Sequence, residues 1–80
     1  MQLKLTWRID GKPDIDILVC QEQAIRETLQ VLAESGYIPI HFLNNIKYIK
    51  ALRTGEQINV FLSYGEANIY TGDIIEVIIE

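Results

Sequence analysis

The sequence predicts an α+β fold in which a mixed sheet of four to five strands is crossed by one main helix. Three observations carry that expectation. Apolar and polar residues alternate over 2–9 and 14–20, apolar residues recur at helical spacing from about residue 22 to Gly36, and they run almost unbroken over 74–79. A period of two marks a half-buried strand and a period of 3.6 an amphipathic helix. A short unbroken apolar run marks a central strand, covered on one face and partly on the other.

Each element follows from its residues. In 2–9, Leu3, Leu5, Trp7 and Ile9 share one face and Gln2, Lys4, Thr6 and Arg8 the other. Asp10-Gly11 is a favoured tight-turn pair, because both residues tolerate positive φ, and Pro13 suits a sheet edge or a longer hairpin loop. The second strand directs Ile15, Ile17 and Val19 inward and Leu18 and Cys20 outward, between Asp14 and Asp16. The helix stripe is Ile25, Thr28/Leu29 and Leu32/Ala33, and Glu22 and Arg26 are spaced for an i,i+4 pair. Its N-cap is weak, since Gln21 is a poor capping residue, while Gly36 is a natural C-terminal stop. Residues 37–45 form an apolar connector with Pro39 barring a helix and a short helical turn over 41–45. A third strand is expected over 46–53, a turn at Thr54-Gly55 and a short fourth strand over 57–62. Residues 63–70 hold one helical turn, with Ser63 and Glu66 at capping-box spacing. Thr71-Gly72-Asp73 then turns into the last strand, 74–79.

Eighty residues make one domain, 1–80, with one core. Strand, strand, helix, strand, short strand, strand is the order of a β-grasp, in which the last strand lies centrally beside the first and the helix makes a right-handed crossover. One cysteine, Cys20, allows no internal disulfide, and Cys20 with the single His41 cannot build a Cys/His zinc site. The scattered glycines make no phosphate-cradling loop. Asp10, Asp14, Asp16 and Asp73 match no calcium loop. No cofactor is expected. The net charge of −4 argues against nucleic acid as a partner. No apolar run is long enough to insert in a bilayer, and the N-terminal residues lack the pattern of a secretion signal, so a cytoplasmic location is expected.

Leu52-Arg53-Thr54-Gly55-Glu56-Gln57-Ile58 followed by Leu62-Ser63-Tyr64-Gly65-Glu66-Ala67-Asn68-Ile69-Tyr70-Thr71-Gly72-Asp73-Ile74-Ile75-Glu76-Val77 resembles the second half of ubiquitin-like domains. The pattern Glu-Ala-x-Ile-x-x-Gly-Asp-Ile-Ile-Glu-Val within it resembles most the YukD/EsaB family of small ubiquitin-like proteins. That resemblance implies a non-enzymatic accessory of a Gram-positive type VII secretion system, docking on a cytoplasmic domain of a membrane component. Conjugated ubiquitin-like proteins and sulfur carriers end in Gly-Gly, where this sequence reads Val77-Ile78-Ile79-Glu80. A carrier or modifier of another pathway is therefore the less favoured alternative.

Catalysis would need Cys20 activated by a neighbouring base, and no histidine lies near it in sequence. Both Cys20 and His41 are read as structural. What remains is surface. Leu18, Tyr48, Lys50, Leu52, Ile74 and Ile78 are the candidate partner-binding residues, on the sheet face opposite the core. Ile74 and Ile78 are expected opposite the core-facing Ile75, Val77 and Ile79. Tyr64 and Tyr70 are further candidate anchors, tyrosine being enriched at binding hot spots. Leu18 and Ile78 are expected to form an apolar patch if they adjoin. A sheet edge open on the third strand or the hairpin could pair with a second copy to give a homodimer.

Overall fold

The computed structural model describes residues 1–78. Five strands, β1 (Gln2–Arg8), β2 (Ile15–Cys20), β3 (Tyr48–Ala51), β4 (Glu56–Asn59) and β5 (Ile74–Val77), form one sheet in the order β2-β1-β5-β3-β4. β1 is antiparallel to β2 and parallel to β5, and β3 is antiparallel to both β5 and β4. The last strand is therefore central and beside the first, as expected for a β-grasp.

The hairpin is set by the Asp10-Gly11 turn, where Gly11 has φ +78 and the Lys12 N–H donates to the Ile9 carbonyl at 3.1 Å. The main helix, α1 (Ile25–Glu34), buries Ile25, Thr28, Leu29, Leu32 and Ala33, the stripe its sequence spells out. It starts later than about residue 22; its N-cap Ala24 has no capping side chain, while Glu27 Oε2 accepts from the Ala24 N–H at 3.1 Å. Instead, backbone carbonyls of the segment after β4 serve its first turn: Ile25 N–H donates to Leu62 O at 3.0 Å and Arg26 N–H to Val60 O at 2.9 Å. These supply the acceptors a capping side chain would provide. The late start leaves Glu22 outside the helix, so the Glu22–Arg26 pair does not form. Glu22 meets the Met1 ammonium at 3.4 Å, and Arg26 donates to Asn44 Oδ1 at 2.9 Å. At the other end Tyr37 N–H reaches Leu32 O and Gly36 N–H reaches Ala33 O, with Gly36 at φ +83. That closure needs a left-handed residue at position 36.

A 3-10 turn spans Ile40–Asn45, one residue earlier than the helical turn the sequence indicates. The three later strands are shorter than expected. β3 and β4 keep only the four residues that pair with each other, and β5 ends at Val77. Ile78 lies past the ladder, and Ile79 lies outside the described residues. The capping box at 63–66 is reciprocal: Ser63 N–H donates to Glu66 Oε1 at 2.9 Å and Glu66 N–H to Ser63 Oγ at 3.1 Å. This binds the 63–70 segment into turns.

The core joins Leu3, Leu5 and Trp7 of β1 to Ile25 and Leu29 of α1 and to Ile49, Ile75 and Val77 of the central strands. Trp7 is fully buried, and its indole N–H meets no partner among the described residues. Burial of its large ring outweighs that unmet donor. Tyr64 is fully buried as well, so it is no surface anchor; its hydroxyl is hydrogen-bonded to the Thr28 hydroxyl on α1. Burial pushes the Tyr64 phenol well above its ordinary pKa, against the smaller opposing effect of Thr28.

Candidate functional site: the outer face of the sheet

With α1 on one face of the sheet, the alternate residues of every strand look away from the core. The register arranges them in rows. One row runs Arg8–Glu76–Lys50–Gln57, since Arg8 pairs with Glu76, Glu76 with Lys50 and Lys50 with Gln57. Asp14 extends it beyond Arg8, whose guanidinium donates to its two carboxylate oxygens at 3.4 and 3.2 Å. The hydrogen bond and then the charge of Asp14 raise the Arg8 pKa, with a smaller push from Glu76. Charges thus alternate in sign from Asp14, just before β2, across β1, β5 and β3.

Apolar side chains flank this bar on both sides. On one side, Ile74 pairs with Thr6, and Leu52 N–H donates to the Ile74 carbonyl at 3.0 Å. On the other, Tyr48 and Ile78 line a cleft of ≈ 170 Å³ with Asn45, Lys47 and Gln57. Ile74 and Ile78 are four residues apart, or about 13 Å along an extended chain. Tyr48 is 48% exposed, and Lys50, Leu52, Ile74 and Ile78 are half-buried. Leu52 lies just past the end of β3 but stays on the Lys50 face.

Five of the six candidate residues, Tyr48, Lys50, Leu52, Ile74 and Ile78, therefore gather on β3, β5 and the residues just past their ends. Leu18 does not join them. It lies on the edge strand opposite Lys4, while Ile78 is two residues past Glu76, the partner of Arg8. The offset along the strands is about six residues, or about 20 Å, so no Leu18–Ile78 patch exists. Arg8 and Glu76 are the residues that sequence reading missed. Period two places each on the outer face, but only the register sets them beside Lys50.

Tyr70 is exposed and covers Arg53, whose guanidinium carbon sits 5.2 Å from the ring centre. Arg53 also donates to both oxygens of buried Asp73, at 2.8 and 3.3 Å, and to the Asn68 carbonyl at 3.0 Å. Burial pulls the Asp73 pKa up, but hydrogen bonds from Arg53 and the Tyr70 N–H, with the Arg53 charge, bring it below the ordinary value. This network ties the turn before β5 to the end of β3. Cys20 is exposed at the end of β2, and His41 packs on Phe42 with ring centres 4.4 Å apart. Among the described residues no group of three or more His, Cys, Asp or Glu is placed to hold a metal ion. No described helix is long and apolar enough to cross a membrane.

This sheet and helix define the ubiquitin-like fold, and solved structures share it closely. A ubiquitin-based de novo design aligns over 99% of this chain and 89% of its own, with TM-score 0.76 and 18% identity. The ubiquitin-like domain of Plasmodium falciparum Dsk2 aligns over the whole of both chains, with TM-score 0.75 and 12% identity. Caldiarchaeum subterraneum ubiquitin aligns over 100% of this chain and 95% of its own, with TM-score 0.76 and 10% identity. No protein-family model matches the sequence, and no curated protein matches it.

Proposed function

We propose that this protein is a ubiquitin-like docking domain that binds another protein non-covalently through the outer face of β3 and β5 and catalyses no reaction. The observation that carries this reading is the gathering of Tyr48, Lys50, Leu52, Ile74 and Ile78 around the Arg8–Glu76–Lys50 bar. Two apolar spots give a partner area to bury, and an ordered charge row between them fixes its orientation. The pattern at 52–77, with its likeness to the YukD/EsaB family, narrows the partner to a cytoplasmic domain of a membrane component of a Gram-positive type VII secretion system.

A photo-crosslinking residue placed at Tyr48 in Gram-positive cells tests both levels of the proposal, with Gln30 on the exposed face of α1 as the control. The expected result is a crosslink to a secretion-system membrane component from position 48 and none from position 30. Crosslinks from position 30 alone would refute the docking face. A different protein captured at position 48 would refute the secretion assignment and leave the face standing.

A further inference from the structure

The edge strand β2 presents a short set of unpaired backbone groups that is complementary to itself. Gln21 N–H donates to Met1 O at 2.9 Å, and this residue pair continues the β1–β2 register. In an antiparallel ladder, bonded pairs alternate with unbonded ones. Val19, Ile17 and Ile15 therefore direct their N–H and C=O groups toward β1, and Asp16, Leu18 and Cys20 direct theirs to the open side. Lys4 and Thr6, opposite Leu18 and Asp16, point the other way: Lys4 O accepts from Gly72 at 2.7 Å, and Thr6 N–H donates to Asp73 O at 3.1 Å.

Cys20 is already satisfied. Its N–H donates to Gln23 Oε1 at 3.2 Å, and its carbonyl accepts from Gln23 N–H at 3.0 Å. Within β2 this leaves Asp16 and Leu18 as residues whose backbone groups are free, among the described residues. Such an edge is normally guarded by projecting charge, proline or a bulge. Here Asp16 Oδ1 accepts from the Thr6 hydroxyl at 2.7 Å, and Asp14 is held by Arg8. Both carboxylates are drawn over β1 and away from the edge. Leu18 is 63% exposed, and Ile15 and Ile17, on the core side, are half-exposed.

We propose that β2 pairs antiparallel with β2 of a second copy about a two-fold axis at Ile17, joining the two sheets into one. In that register Asp16 of one copy faces Leu18 of the other. All the free groups of both residues are used, in four hydrogen bonds. Ile17 meets Ile17, and Ile15 meets Val19, extending the core across the junction. No two carboxylates face each other across the junction, since Asp16 lies opposite Leu18 and Asp14, just before β2, opposite Cys20. A two-fold at Leu18 would instead bring Asp16 against Cys20, whose backbone groups are taken. This surface is distinct from the β3–β5 face, so the two can be occupied together.

Sedimentation equilibrium of the purified chain, with a nitroxide on Cys20 for dipolar distance measurement, tests the pairing. A concentration-dependent dimer is expected by about 1 mM, the weak end of specific association. Cys20 of one copy lies opposite Asp14 of the other, so the two labels are six strand residues apart, or about 20 Å. Pairing about Leu18 would give about 14 Å, and pairing through β4 more than about 40 Å. Leu18→Asp sets a carboxylate opposite Asp16 and is expected to weaken the dimer at least tenfold, while Leu18→Lys sets an ammonium there and strengthens it. A chain that stays monomeric, a label distance of either other kind, or equal effects of the two Leu18 variants would overturn the proposal.

Discussion

Replacing Tyr64 by Phe probes how the 63–70 segment is held to the helix. Tyr64 is fully buried and Thr28 is 4% exposed, and their hydroxyls are hydrogen-bonded to each other. Tyr64→Phe keeps the ring and strands the Thr28 hydroxyl in the core. An unmet buried donor costs about 1–3 kcal/mol. The carbonyl one turn back, Ala24 O, already accepts from Glu27 N–H at 3.1 Å, so it offers limited rescue. A loss of about 1–2 kcal/mol is expected, or a fall of roughly 4–16 °C in Tm for a domain of this size. Thr28→Val strands the phenol instead and should cost a similar amount. The double variant removes both polar groups and is expected to be less destabilised than the sum of the singles by about 1–2 kcal/mol. Urea unfolding followed by fluorescence of the buried Trp7 reads all three. Additive losses, with coupling under about 0.3 kcal/mol, would refute the reasoning. The same residue sets an alkaline limit. Its folded pKa is raised above the ordinary 10.0. The stability linked to it is complete below pH 10.0 and is lost as pH rises toward the folded value. Tyr64→Phe should remove that part of the alkaline decline.

Three further outcomes are expected. Asp73 has a depressed pKa, so its linked stability is full above the ordinary 3.8 and is lost as pH falls through the folded value; Asp73→Asn should be less stable at neutral pH by thermal melting, with a flatter acid limb. Gly72 adopts φ +91 and a Cβ there meets nothing within 4 Å, so Gly72→Ala should cost about 1–2 kcal/mol in urea unfolding from backbone strain alone. Cys20→Ser, at an exposed strand end, should leave crosslinking from position 48 unchanged; its loss would point to a role for the thiol.

Local pattern carried most of the architecture. Alternation placed Leu3, Leu5 and Trp7 in the core, the 3.6 period placed Ile25, Leu29 and Leu32, and the apolar run read over 74–79 marked the last strand as central. Failures came where tertiary partners decide. The helix begins at Ile25 because the carbonyls of Val60 and Leu62, far downstream, accept its first N–H groups, a signal no local window contains. Strand ends at Ala51, Asn59 and Val77 follow the limits of pairing rather than hydrophobicity. Tyr64 looked like a surface anchor because its burial depends on meeting Thr28 across the fold. The docking face was half legible. Period two put five candidates outward, but the neighbours Arg8 and Glu76, and the separation of Leu18 from Ile78, are properties of register.

Backbone amide shift mapping on the isotopically labelled chain, titrated with the purified protein that crosslinks from position 48, tests the docking face most directly. The account predicts that shifts concentrate at Tyr48, Lys50, Leu52, Ile74 and Glu76, and that Lys50→Ala weakens binding without altering the fold. Shifts confined to Glu27, Gln30 and Glu34 on the helix, with the strands silent, would contradict it.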